Sequence, residues 1–180
     1  MEDQEILEKF RQETSKNYAF NLLVRKYQER VYRHIRKMVI DHDDADDLTQ
    51  ETFVKVWQNL DKFKEQSKLF TWIYKIASNE CLNFLRKKRN KFFLPIADVK
   101  KDLLRKLETS DYVSGDEIAI KLQKVLLTLP EKQRLVFNMK YFDELKYEEM
   151  SEILNTSVGA LKASYHHAVK KIEEAMKSEI

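Results

Sequence analysis

Residues 147–172 read YEEMSEILNTSVGALKASYHHAVKKI. Met150, Ile153 and Leu154 recur at the three- and four-residue spacing of one helical face. Asn155 follows, a residue that tolerates the left-handed backbone needed to stop a helix sharply. Ser157 then suits the cap of a second helix, because its hydroxyl can accept from the free N–H groups of the first turn. In that second helix Val158, Leu161, Tyr165, Ala168 and Ile172 fall on one stripe, with Gly159, Ala160, Ala163, His167, Lys170 and Lys171 opposite. Small side chains at the front of an exposed face let a helix approach base edges in a major groove, and the cations behind them suit phosphates. The same spacing fits a plain helical hairpin with a solvated basic face.

The rest of the chain points the same way. Only two of its 180 residues are Gly and two Pro, too few turn residues for a β-rich fold. Long helices joined by short polar turns are expected. Hydrophobic residues make up 43% and charged ones 35%, enough for a core beneath a densely charged surface. Cys81 is the single cysteine, which excludes an intrachain disulfide and a Cys-based zinc site and suits a reducing cytoplasm. The start, MEDQEILEKFRQE, lacks the basic flank and apolar run of a signal peptide. No stretch approaches the ~18 apolar residues of a membrane span. The net charge of +3 says little, since the distribution of charge matters more than its sum.

Phe20, Leu23, Tyr27, Val31, Ile35 and Met38 recur at helical spacing and predict a first long helix. A second is expected from near Ala45, with Leu48, Thr52, Val56 and Trp57 inward beside Phe53, and Asp47, Gln50, Glu51, Val54 and Lys55 outward. A third should begin after Ser67, with Leu69, Trp72, Ile73, Ile76 and Phe84 inward. On its other side Thr71, Lys75, Ser78, Asn79, Arg86 and Arg89 form a polar and cationic strip interleaved with aromatics, suited to following a phosphate backbone while stacking bases. A soluble helix whose basic end complements its own dipole has the same pattern. Residues 93 to 115 lose the period and read as a linker with a short helix around Leu103 to Leu107. Helical order resumes at Asp116, with Pro130 suited to a first helical turn.

The stretch DHDDADDLTQETFVKVW (41–57) packs five aspartates into seven positions. With His42 it raises the question of a metal-dependent phosphotransfer site. The calcium-loop pattern fails at Ala45 and lacks its turn glycine, and there is no glycine-rich phosphate loop or supported nucleophile. The aspartates suit a helix N-terminus, where negative charge complements the dipole by about 0.3–1 kcal/mol each. No catalytic residue, metal or cofactor is expected.

Three segments occur in one order: DDADDLTQETFVKVW, then FTWIYKIASNECLNFLRKKR, then LPEKQRLVF followed by YEEMSEILNTSVGALK. Together they resemble the extracytoplasmic-function (ECF) group of sigma-70 family RNA polymerase sigma factors, over nearly the whole chain. The resemblance implies an all-α protein of two small helical domains. Region 2 would span 1–92 and bind core polymerase and the −10 element. A linker would span 93–115, and region 4 would span 116–180 and bind the −35 element through its helix–turn–helix. Matched residue by residue, core docking falls on Asp46, Asp47, Leu48, Gln50, Glu51, Phe53, Lys55 and Trp57. The loop 61–68, with Phe63, Lys64 and Ser67, would hold a flipped non-template base. Lys75, Asn79, Arg86, Lys87 and Arg89 would track the strand. Ser157, Gly159, Ala160, Lys162, Ala163, Ser164, His167, Lys170 and Lys171 would meet the −35 duplex.

The implied partners are core RNA polymerase, double-stranded promoter DNA, the melted non-template strand and an anti-sigma factor. The expected location is the cytoplasm, where an anti-sigma factor can hold the chain at the membrane, with no membrane insertion of its own. The alternative is a helix–turn–helix regulator acting without polymerase, which would leave the first bundle without a role. Some positions depart from the family pattern. Glu144 stands where many relatives have glycine or another small residue, and Lys146 where they have a capping serine, a loss costing about 1 kcal/mol. Ser164, His167 and Val169 stand where arginines are frequent, so no −35 base preference transfers.

Overall fold

The computed structural model describes residues 1–91, 96–109 and 116–178. Among the described residues there are nine α-helices, one 3-10 turn and no strand.

The first unit begins with α1 (Asp3–Phe10), which buries Ile6, Leu7 and Phe10. Then α2 (Lys16–Val39) buries Leu23, Tyr27, Val31, Ile35 and Met38, at the spacing the sequence predicts. It ends on Ile40, a fully buried residue with φ of 66°, an unusual conformation for a β-branched side chain. The next helix, α3 (His42–Asn59), starts three residues before the expected Ala45. The reason is local: the Asp41 carboxylate accepts from the Asp44 N–H at 2.9 Å and caps the helix there. A 3-10 turn (Leu60–Lys62) and a loop lead into α4 (Leu69–Lys91), which packs on α2 and α3.

The inward face of α4 is not the one expected. Leu69 and Ile73 are buried, but Trp72, Ile76 and Phe84 are only half-buried, while Tyr74, Ala77, Cys81 and Leu85 are completely buried. Thr71 and Ser78, expected on the polar strip, are buried too. The cause is tertiary: α4 has neighbours on two sides, α2 and α3 on one and α8 on another. A one-sided amphipathic pattern underestimates so wide a buried arc.

The linker carries a full helix, α5 (Ile96–Thr109), rather than a short one. Val99, Leu103 and Leu107 are buried at four-residue steps, one face of a helix against α4 and α6. Lys88 pairs with Asp102 at 2.6 Å and Lys124 with Glu108 at 2.9 Å, so α5 is tied to both units. The expected borders at 93 and 115 fall outside the described residues.

The second unit comprises α6 (Glu117–Thr128), α7 (Glu131–Tyr141), α8 (Tyr147–Leu154) and α9 (Val158–Lys177). Asp116 caps α6, and Pro130 immediately precedes α7. Asn155 has φ 50° and ψ 47°, the left-handed stop the sequence predicts, and Ser157 accepts from the Ala160 N–H at 3.2 Å. A small core of Leu126, Leu129, Phe137, Ala168 and Ile172 holds α6, α7 and α9 together.

The units pack on one another, α7 against α2 and α8 along α4. One apolar cluster runs from Ile6 through Leu85 into Val136, Met139, Met150 and Leu161. Polar groups cross the seam as well. His34 and Lys37 on α2 hold the two oxygens of Asp143, which follows α7, and an Arg134 guanidinium N–H donates to the Met38 carbonyl at 3.0 Å.

Candidate polymerase-docking and promoter-binding surfaces

The first surface is the outer face of α3. Asp47, Gln50, Glu51, Val54 and Lys55 are exposed there, as the sequence predicts, and Asp46 is half-exposed beside His42 at 3.3 Å. Three expected docking residues point inward, beginning with Leu48, which is buried in the core. Phe53 is 6% exposed within the core. Trp57 is half-buried, edge-on to Phe10 and Phe20 at centroid distances of 5.3 and 4.9 Å. All three fall on the inner face because Thr52, Phe53 and Val56 close α3 over α2 and α4. Val54, 54% exposed, is a large apolar side chain on the outer face that the expected docking set does not include.

The aspartates at the head of α3 are organised by lysine. Lys106 of α5 reaches Asp41 at 3.2 Å and Asp44 at 3.1 Å. Asp41 sits below the usual carboxylate range, chiefly because the Asp44 backbone N–H donates to it and secondarily because Lys106 adjoins it. The cluster is a helix cap with a counter-ion. Among the described residues, no group of three or more His, Cys, Asp or Glu converges as a metal site would require.

The second surface lies on α4 and the turn before it. Lys75, Asn79 and Arg86 are exposed along one strip, with Arg89 half-exposed beside them. Lys87 is about 100° further round the helix and lines an acidic cleft with Asp44, Asp47 and Glu51. It therefore belongs to the α3 side, not to the strip. Next to the strip is a cleft of about 360 Å3, lined by Lys55, Asn59, Lys62, Trp72, Ile76, Asn79 and Glu80, with the Lys55 ammonium held by the Glu80 carboxylate at 2.5 Å. Phe63, expected to meet DNA, is 8% exposed and packs against the Trp72 ring at 5.1 Å. It supports that wall instead. Lys64 is exposed and Ser67 half-exposed in the loop. Lys62 belongs to the expected loop, but Asn59, Trp72 and Ile76 are cleft residues the sequence did not point to, because residues from two helices and a turn meet only once folded.

The third surface is α9. Gly159, Ala160, Lys162, Ala163, His167, Lys170 and Lys171 are exposed and Ser157 is the cap. No atom stands within 4 Å of the position a side chain at Gly159 would take, so the front of the helix is open. Ser164 is half-buried because it faces α4. The substituted cap at Lys146 is partly compensated: the Glu149 carboxylate accepts from the Lys146 backbone N–H at 3.1 Å. Glu144 has φ of 53°, which explains why glycine suits that position.

One arrangement has the look of hydrolase chemistry. Ser78 Oγ lies 2.9 Å from His34 Nε2, and Asp143 Oδ2 lies 3.0 Å from His34 Nδ1. Both His34 and Ser78 are fully buried, so no substrate reaches the hydroxyl, which donates to the Tyr74 carbonyl at 2.7 Å. The chain is a brace across the seam. Asp143 is buried, which alone would raise its carboxyl, yet the His34 hydrogen bond and the His34 and Lys37 charges hold it below the ordinary range.

A helical bundle with an acidic outer helix and a basic strip, joined to a helix–turn–helix, defines a two-part promoter-binding protein. The sigma-70 region 2 family matches residues 23–91 and the sigma-70 region 4 family matches residues 119–172. The chain belongs to the sigma-70 family of RNA polymerase sigma factors, in the ECF group, whose members are initiation factors and not enzymes. It is 30% identical to the ECF RNA polymerase sigma factor SigW of Bacillus subtilis, over 88% of this chain and 89% of that one. It is 28% identical to the RNA polymerase sigma-H factor of Pseudomonas aeruginosa, over 97% and 94%. The fold is shared with CnrH, solved in complex with the cytosolic domain of CnrY, at a TM-score of 0.72, 21% identity and 99% coverage of each chain. Among the described residues no helix is long and apolar enough to cross a membrane.

Proposed function

We propose that this sigma factor binds core RNA polymerase through the outer face of α3 and directs it to promoters through α4 and α9. The observation that carries the reading is the cleft beside the α4 strip. Its Trp72 wall and its Asn59 and Asn79 amides offer a flipped base a stacking partner, donors and acceptors, with positive charge from Lys62, since Lys55 is paired to Glu80. Docking uses Asp46, Asp47, Gln50, Glu51, Val54 and Lys55, with Phe53 and Trp57 bracing the helix from beneath. The −10 strand runs along Lys75, Asn79, Arg86 and Arg89, past Lys64 and Ser67. The −35 duplex meets Gly159, Ala160, Lys162, Ala163, Ser164, His167, Lys170 and Lys171, with Ser157 at the helix start. Region 2 ends near residue 92 and region 4 begins near residue 116, with α5 as a structured linker.

The site of action is the cytoplasm, where an anti-sigma factor holds the chain in reserve. A solved neighbour, the sigma factor RpoE of Bartonella quintana, is bound to the anti-sigma factor NepR, with a TM-score of 0.67 at 22% identity. The test is transcription by purified core polymerase with and without the protein, with transcript starts mapped. Expected are discrete starts that require the protein. If the chain neither co-purifies with core polymerase nor produces such starts, the reading is wrong.

A further inference from the structure

Along α2, Arg30, Arg33 and Lys37 stand three and four residues apart and so share one face. They line a cleft of about 490 Å3 together with Glu29, and with Phe142 and Asp143 from the turn after α7. That volume falls among small-molecule sites, roughly 300–1,000 Å3. None of these residues belongs to the docking, −10 or −35 surfaces.

The cleft is rich in donors and short of acceptors. Asp143 is already shared by His34 and Lys37. Glu29 pairs with Arg33, but the two side chains are 75% and 69% exposed, and an ion pair so open to water holds its partners weakly. Among the described residues no carboxylate pairs with Arg30, whose guanidinium carbon instead lies 3.9 Å from the centroid of the Phe70 ring. Stacking uses the flat face of a guanidinium and leaves its in-plane N–H donors to find acceptors. Beside Arg30 and Asp143, the Tyr74 hydroxyl is fully buried without a hydrogen-bond partner. Phosphate oxygens accept only, and the arginine fork matches two of them at once. The helical rise spreads the three cations over about 10 Å, a row suited to two phosphates rather than one. Phe142, with the Lys37 ammonium 5.3 Å from its centroid, adds an apolar wall at one end of that row.

We infer that this cleft binds a small molecule with two linked phosphates and a ring, a nucleoside diphosphate in chemical class, with Arg30 and Arg33 on the phosphates and Phe142 against the ring. A polynucleotide backbone also presents phosphates, but it must run on past the site, and here Phe142 and Asp143 stand across one end. The first unit supplies the cations and the second the wall, so the site is complete only where the two meet.

Calorimetric titration of the full chain with ADP and with inorganic pyrophosphate tests this. Expected is one ADP per chain, with pyrophosphate binding several-fold more weakly because it lacks the ring. Arg30→Gln and Arg33→Gln should each lower the affinity for ADP about tenfold, the loss of a charge-assisted hydrogen bond. Both side chains are exposed, so the variants should keep the helical circular dichroism of the parent, and either one decides if the other does not. Phe142→Leu should weaken ADP and leave pyrophosphate unchanged. Arg25→Gln, exposed on the same helix but outside the cleft, should change neither. No heat of binding with ADP at millimolar concentration overturns the inference, as does a loss in Arg25→Gln equal to that in Arg30→Gln. Pyrophosphate binding as tightly as ADP, with Phe142→Leu silent, overturns the ring contact. A single-stranded oligonucleotide that displaces ADP at lower concentration than ADP itself binds would make the cleft a backbone contact and overturn the small-molecule assignment.

Discussion

Helices α4 and α9 are similar in length, amphipathic and basic, yet they occupy opposite situations. The apolar stripe of α9 meets one set of neighbours, and its opposite face is open as its spacing predicts. By contrast, α4 is gripped by α2 and α3 on one side and by α8 on the other. Its buried residues include Thr71 and Ser78 as well as Tyr74, Ala77, Cys81 and Leu85. The difference teaches that periodicity reports how much of a helix's circumference is packed. One packed side gives a readable stripe, even when several helices share it; a wider buried arc blurs it.

The sharpest way to test this contrast is to empty the shared core at α4. Leu85→Ala removes a completely buried side chain and should destabilise the chain by about 2–5 kcal/mol. Because one cluster joins the two units, thermal unfolding should stay a single transition shifted downward. Two separated transitions would show that the units are independent. Next in size is the charge strip. In the polymerase-bound chain, Arg86→Ala with Arg89→Ala should weaken promoter binding and lower the slope of log K against log salt by about 1.4, at ~0.7 per lost contact to a single strand. The matching change on α9, Lys170→Ala with Lys171→Ala, should lower it by about 1.8, at ~0.9 per duplex contact. Equal slopes for both pairs and the parent would break the assignment of either face to DNA.

Local caps come below these. Ser157→Ala should cost about 1 kcal/mol, since the Ala160 N–H loses its acceptor, and urea unfolding measures it. Glu144→Gly should instead stabilise by about 0.5–1 kcal/mol, because glycine meets no steric penalty at φ of 53°.

The gentlest probe is pH. Asp143 is held below its ordinary carboxylate value of 3.8 in the folded chain. Its contribution to the seam is therefore complete above about pH 5 and is lost as pH falls through its lowered value. Between pH 5 and 8 this contribution should be constant, adding no pH dependence to stability. Below that range the parent should lose stability more steeply than Asp143→Asn. Parallel acid profiles would show that the carboxylate is not held by His34 and Lys37.

Much of the candidate site was legible in the residues. The outward faces of α3 and α9, the cap at Ser157 and the stop at Asn155 all follow from local spacing and backbone preference. Phe53 and Phe63 were not, because a motif match assigns a residue to a surface without saying which way its ring turns. Packing decides that: one ring closes α3 over the core and the other lies under Trp72. Lys87 was grouped with Arg86 through proximity in sequence, although one step along a helix turns a side chain by about 100°.

By itself, then, the sequence determined that the chain is helical, that it has two helical units, that its aspartates begin a helix, and that one helix–turn–helix presents small and basic residues outward. These are properties of neighbours within a few turns, where backbone hydrogen bonds and apolar spacing act locally. Only the tertiary structure decided that α4 is buried on two faces, that the linker is a helix pinned at Asp41 and Asp44, and that Asp143 meets His34 and Lys37. Those contacts join residues about a hundred positions apart, and no local preference specifies which buried carboxylate will find which cation. Packing of the two units selects the pair.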